Sequence, residues 1–168
     1  MINFPSLIYK DLKEFALSCK MELIVEEPYD FVYPIELLNY TDEKVWEECI
    51  PIIKEFNIDI LSKLRNNANL YTIYIRRSKN DKWMPMYVGE RKSDGMRERI
   101  TQHLINKNAA TGSKLAEVKE VIRSGGSIGV SFIKVEPESL RLYVEENIIN
   151  NSSADILIWN KQGKNNTI

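Results

Sequence analysis

Residues 71–90, YTIYIRRSKNDKWMPMYVGE, place Tyr74 and Tyr87 in short apolar runs on either side of a polar, charged segment. Two paired strands joined by that segment would set these phenols side by side. A packed core would use Val or Ile at such positions; phenols add hydroxyls that donate, accept or lose a proton. Further on, Arg99 and His103 are spaced i, i+4 and share a helix face that borders Ile100 and Leu104. At about 100° per residue, Glu145 falls within the apolar arc of the last long helical run, among Val144, Ile148, Ile149 and Leu142. A carboxylate in such an arc needs a positive neighbour. Arg141, four residues earlier, supplies one as an intrahelical ion pair, and a bound divalent cation supplies another. The helix alone leaves both open. Brought together, these groups would suit a proton, a phosphoryl group and a cation.

The elements that must position them follow from periodicity and punctuation. LYTIYIRR and PMYVGE read as strands joined by the polar SKNDKW, and SIGVSFIKVE as a third strand. Between them lie two helices. One follows the glycine of SDGMRERITQHLINKN; the other runs through TGSKLAEVKEVIRSGG, capped by Thr111 or Ser113 and stopped at Gly125-Gly126. PESLRLYVEENIINN is a third helix with Pro137 near its first turn, and ADILIWNKQGK a final extended piece. The order predicts an α/β (α+β) domain over residues 70–162: a small three-stranded antiparallel sheet flanked by helices, with a tail over 163–168. Residues 1–69 read as an N-terminal helical extension. It has an amphipathic helix over 9–20, a proline-containing loop or edge segment over 26–36, and a helix capped by Thr41 or Asp42 that Pro51 breaks or restarts.

Charge divides the chain. Residues 1–69 hold 7 Lys/Arg and 13 Asp/Glu, a net of −6, whereas residues 70–168 hold 16 and 11, a net of +5. The basic block coincides with the tyrosine pair, as a surface for a phosphate backbone requires. Arg76, Arg77, Lys79, Lys82, Lys92, Arg97 and Lys114 are its candidate DNA contacts. Cys19 and Cys49 read as buried free thiols, and a single histidine without a Cys pair excludes a structural zinc site. The N-terminus lacks the basic start and apolar core of a signal peptide, and no run of about 18 apolar residues exists to span a membrane. A cytoplasmic location is the resulting expectation.

In order and spacing these residues resemble the GIY-YIG nuclease superfamily. Thr72-Ile73-Tyr74 stands for the first signature and Tyr87-Val88-Gly89 for the second. RITQH supplies an Arg and a His four residues later, YVEEN the glutamate, and IWN a late asparagine, Asn160. Thr72 replaces the family's first glycine, and the loop from Gly89 to Arg99 is about two residues longer than usual, which makes Arg97 a rival for the arginine. The resemblance implies the GIY-YIG fold and hydrolysis of phosphodiester bonds in double-stranded DNA with a single Mg²⁺ (or Mn²⁺). Its catalytic residues would be Tyr74, Tyr87, Arg99, His103, Glu145 and Asn160. Glu145 would hold the metal, Arg99 would stabilise phosphoryl charge, and Tyr74 would orient or deprotonate the attacking water. His103 would lower the phenol's pKa or take a proton itself. Gly89 would allow close approach of a phosphate, and Asn160 would tether the C-terminal segment. A type II restriction endonuclease is the reading favoured by a short chain without an added DNA-binding module, acting as a homodimer or by sequential nicks. A homing, mobile-element or repair-type nuclease and a non-catalytic DNA-binding module are the alternatives.

Overall fold

The computed structural model describes residues 11–107 and 112–161, together with Pro5. The elements run in the order α1 (Leu12–Leu23), β1 (Tyr29–Phe31), α2 (Glu43–Phe56), α3 (Ile58–Leu64), β2 (Leu70–Arg76), β3 (Met84–Glu90), α4 (Met96–Leu104), α5 (Leu115–Arg123), β4 (Ser127–Ile133), α6 (Leu140–Asn150) and α7 (Ile158–Lys161). Single 3-10 turns at Ile35–Leu37 and Ser93–Gly95 complete them.

One antiparallel sheet of four strands carries the fold, in the order β1-β4-β2-β3. The expectation of three strands is corrected by β1. This short piece comes from the N-terminal segment and pairs Tyr29, Asp30 and Phe31 with Val130, Gly129 and Ile128. Its three residues give almost no alternation to read, and the flanking prolines hid it. β2 is central and buried on both faces along most of its length, so its sequence is nearly continuously apolar.

Each face of the sheet has its own core. One joins Tyr71, Ile73, Ile128 and Val130 to Phe31, Trp46, Ile53, Leu61, Ile100, Leu104 and Val118. The other joins Leu70 and Val88 to Cys19 and Leu23 of α1 and Val144 and Ile148 of α6. Residues of the N-terminal segment enter both cores, so the boundary expected at residue 70 does not divide the hydrophobic interior. Cys19 and Cys49 are free and buried, one in each core.

Local chemistry sets the element ends. Asp42 accepts the Lys44 N–H at 3.0 Å and opens α2, which runs unbroken through the exposed Pro51. Ser113 Oγ accepts the Leu115 N–H at 3.1 Å at the start of α5, whereas Thr111 lies outside the described residues. Gly125, at φ +86°, ends the following turn. Pro137 precedes α6 rather than sitting in its first turn, because the helix begins at Leu140. The expected extended piece near the C-terminus is a short helix, α7, entered through Leu157 at φ +53°. No helix among the described residues is long and apolar enough to cross a membrane.

Candidate functional site

Side-chain direction along the central hairpin decides which phenols meet. Tyr71 lies opposite Gly89, and Ile73 lies opposite Tyr87. Alternation therefore puts Tyr71, Tyr87 and Gly89 on one face and Tyr74 on the other. A register shift between Ile73 and Tyr74 leaves Tyr74 opposite Pro85.

This corrects the placement of Tyr74. Its ring is fully buried, and its hydroxyl donates to the Leu23 carbonyl (2.9 Å), contacts Ser131 Oγ (3.0 Å) and accepts the Val25 N–H (3.0 Å). Those partners fasten the end of α1 to the sheet. The phenol that faces Tyr87 is Tyr71, with ring centroids 6.1 Å apart. Because β2 is buried on both faces, its apolar pattern carries no parity and the wrong tyrosine could be chosen from it.

Gly89 explains how Tyr71 fits. A Cβ at residue 89 would stand 2.3 Å from both Cζ and Oη of Tyr71. The phenol crosses the strand where the glycine leaves room, so the space expected for a phosphate is filled by the Tyr71 ring.

α4 brings two side chains to the same face. His103 is fully buried, and its ring lies 5.5 Å from that of Tyr71 and 5.2 Å from that of Tyr87, centroid to centroid. Its Nδ1 accepts the backbone N–H of Lys114 at 3.0 Å. The neutral ring therefore carries its proton on Nε2, which donates to Tyr71 Oη at 2.7 Å. Burial, then the charges of Arg99 and Lys114, push the imidazole down to about 3. Neutral and bonded at both nitrogens, His103 is a donor here and not a proton acceptor. Arg99 is half-buried, bonds to Gln102 Oε1 at 3.1 Å and reaches both the Tyr71 and Tyr87 hydroxyls. Its rival Arg97 is exposed. Burial raises the Tyr71 phenol well above its ordinary range; Tyr87 adds to this and Arg99 opposes it. Tyr87 is raised less, again by burial first and with Arg99 opposing.

Glu145 completes the cluster from α6, which packs against the edge strand β3. Its carboxyl is pushed up to about 7, first by burial and then by the charge of Glu90, against the Glu90 backbone N–H and the guanidinium groups of Arg141 and Arg99. Of the two partners left open for Glu145, Arg141 pairs instead with Glu90, Nε to Oε2 at 2.7 Å, with side chains 12% and 24% exposed. Arg141 also donates to the Glu138 carbonyl at 3.0 Å. It thereby ties α6 to the end of β3, and acts on Glu145 only through its charge, as Arg99 also does. Leu142, expected within the apolar arc, is 54% exposed, which leaves the buried stripe of α6 as Val144 and Ile148.

Asn160 meets the site only through backbone. Its Oδ1 accepts the Val88 N–H and its Nδ2 donates to the Val88 carbonyl, both at 2.8 Å. It tethers α7 to β3 between Tyr87 and Gly89, and its amide has spent both ends doing so.

The basic residues divide by position. Arg76 stacks on Trp83 at 4.3 Å and faces Asp30 at 3.9 Å. It stands five residues along β2 from Tyr71, about 17 Å at a strand's rise. Arg77 shares that far end beside Glu120 and Ser124. Neither is placed to touch a phosphate at the tyrosines. Lys92 and Arg97 are exposed near the α4 end. Lys114 is half-buried, with Nζ 5.7 Å from the Tyr87 ring centroid. Sequence reasoning counted it only among general basic contacts, because nothing local ties residue 114 to residue 87.

No three His, Cys, Asp or Glu side chains cluster as a cation cage among the described residues. Glu145, with Glu90 beside it, offers one or two carboxylates. That donor set fits a hard ion that keeps most of its waters, as Mg²⁺ does, and does not fit zinc. Comparison of the chain with family models, with curated proteins and with solved structures returned no match.

Proposed function

We propose that this protein is a metal-dependent endonuclease of the GIY-YIG type that hydrolyses phosphodiester bonds in double-stranded DNA, with Tyr71 in the role first given to Tyr74. The observation that carries this reading is the hydrogen bond between His103 Nε2–H and Tyr71 Oη, with Arg99 reaching both phenols and Glu145 within the same field.

Glu145 would hold the Mg²⁺ ion, which supplies polarisation of the scissile phosphate and stabilisation of the departing oxygen. Arg99 would offset charge developing on the phosphoryl oxygens. The Tyr71 oxygen receives the imidazole N–H and faces the guanidinium, so a phenolate formed there has donors already aimed at it. Burial holds Tyr71 in its phenol form, so it would act as a base only after its own proton had passed to solvent, a loss that the Arg99 charge favours. That phenolate, and not His103, would then take the proton of the attacking water as the water oxygen bonds to phosphorus and the P–O bond to the leaving oxygen breaks. Tyr87 keeps a hydroxyl on the same face, and the Lys114 ammonium beside its ring would meet a flanking phosphate.

Within this class a type II restriction endonuclease is our first choice, and DNA cleavage by a homing, mobile-element or repair-type nuclease the second. Incubation with supercoiled plasmid and Mg²⁺ tests all of this. Discrete fragments support restriction, and nicking or smearing supports the second choice. A gel shift without cleavage overturns catalysis. Glu145→Ala and Tyr71→Phe are expected to abolish cleavage while still shifting duplex DNA in a gel. Wild-type rates in both variants would remove the proposal.

A further inference from the structure

The N-terminal segment reaches α4 at both ends: α3 packs on it and Arg65 faces Glu98 of its first turn at 3.5 Å, while two aromatic side chains meet its last carbonyls. The last carbonyls of a helix have no partner within it. At the end of α4 two carbonyls are met from outside: Tyr33 Oη donates to that of Leu104, the last residue of the helix, and Trp46 Nε1 to that of Ile105, which caps it, each at 2.8 Å. Both donors are stiffly mounted. The two rings are 5.7 Å apart, flanked by Phe31 at 5.5 Å from Tyr33 and by Tyr40 at 6.0 Å from Trp46. Asn57 clasps the peptide of Val32, next to Tyr33, accepting its N–H and donating to its carbonyl at 2.8 Å each. The same amide nitrogen donates to the Ile53 carbonyl of α2, again at 2.8 Å. Hydrogen bonds thus link α2 through Asn57 to Val32, and the adjoining Tyr33 to Leu104, the residue after His103.

We propose that Tyr33 and Trp46 are positioning residues: they hold the C-terminal turn of α4 and so set where His103 presents its Nε2–H to Tyr71. This rests on the nuclease reading for its effect on rate, but the geometry of the imidazole stands independently of it. The imidazole has little tolerance for drift. It is fully buried and bridges Tyr71 to the Lys114 backbone through contacts of 2.7 and 3.0 Å. Within α4 the last turn closes on the Thr101 carbonyl, which accepts the N–H groups of Ile105 and Asn106 at 2.9 and 3.0 Å, and Tyr33 and Trp46 hold the carbonyls beyond it.

Tyr33→Phe and Trp46→Phe remove one donor each and keep an aromatic ring. Tyr74→Phe removes a buried hydroxyl from the opposite face and serves as the comparison. The chain has one histidine, so its imidazole nitrogen spectrum is unambiguous. The wild type should show Nε2 protonated and Nδ1 bare, with slow exchange of the ring N–H. In Tyr33→Phe and Trp46→Phe the expected results are a shifted or faster-exchanging imidazole signal and a kcat for plasmid cleavage about tenfold lower at unchanged KM. Tyr74→Phe should leave both as in the wild type even where it lowers the melting temperature equally. An imidazole spectrum and kcat in Tyr33→Phe that match those of Tyr74→Phe would overturn the inference. Should Trp46→Phe fail to fold, Tyr33→Phe, which loses a single oxygen, decides the matter. A wild type that cleaves nothing defeats the nuclease reading, while the imidazole spectrum still decides the positioning.

Discussion

Tyr71 and Tyr74 stand three residues apart and have unrelated partners: one meets an imidazole, the other the end of α1. Gly89 decides the first arrangement by leaving the space that the Tyr71 ring crosses. Gly89→Ala should therefore push that ring off His103 and lower cleavage about a hundredfold, while circular dichroism shows the fold retained. Cleavage at the wild-type rate would mean that the ring relocates without consequence. His103 makes a prediction about stability. In the unfolded chain it titrates near 6.5, and in the folded chain it stays neutral down to about 3. Between those values the unfolded state binds more protons, so this contribution is complete above 6.5 and is lost as pH falls toward 3. Glu145, raised from 4.5 to about 7, contributes the opposite slope between those values, in the wild type and in a His103 variant alike. His103→Asn should show a flatter fall in melting temperature on acidification from pH 6.5 to 4 than the wild type. Parallel curves would refute the buried neutral imidazole.

At the scale of elements, three asparagines each pair both ends of a side-chain amide with the N–H and C=O of one residue of another segment. Asn57 takes Val32, Asn69 takes Val135 and Asn160 takes Val88. Each imitates one rung of a strand ladder where no strand follows. The Val88 pair matters most to the site, because β3 is an edge strand and Val88 lies between Tyr87 and Gly89. Asn160→Ala removes the partner of the Val88 N–H and C=O and should cost about 1–3 kcal/mol in a urea titration. Cleavage should fall with it through displacement of β3. An unchanged denaturation midpoint would mean water replaces the amide without loss. The Arg141–Glu90 pair does related work by fastening α6 to the far end of the same strand.

For the whole molecule, the segment before residue 70 is structural rather than appended. It supplies β1, half of the aromatic core beside α4, and the α1 stripe of Ala16, Cys19 and Leu23. A fragment beginning at residue 70 would expose the free edge of β4 and the parts of both sheet faces that α1, α2 and α3 cover. It should show no cooperative thermal transition by circular dichroism. A folded, cleavage-competent fragment would contradict the shared core.

Sequence alone determined the type and order of the elements from β2 to α6, though not the short α7 that follows. Helix stripes, capping residues and the Gly125-Gly126 stop are local signals, readable wherever the period is 3.6 and one face is dry. The same signals put Arg99 and His103 on one helical face and Glu145 on an inward one. Tertiary structure decided what depends on parity and on distant partners. A strand buried on both faces carries no alternation, so only its register against β3 could choose Tyr71 over Tyr74. A three-residue edge strand has too few residues to declare itself, so β1 emerged only from its pairing with β4. The protonation of His103 and the choice of Glu90 as the partner of Arg141 were likewise settled by groups 11 and 51 residues away in the chain. Such contacts leave no periodic trace, because they exist only once the chain has folded back on itself.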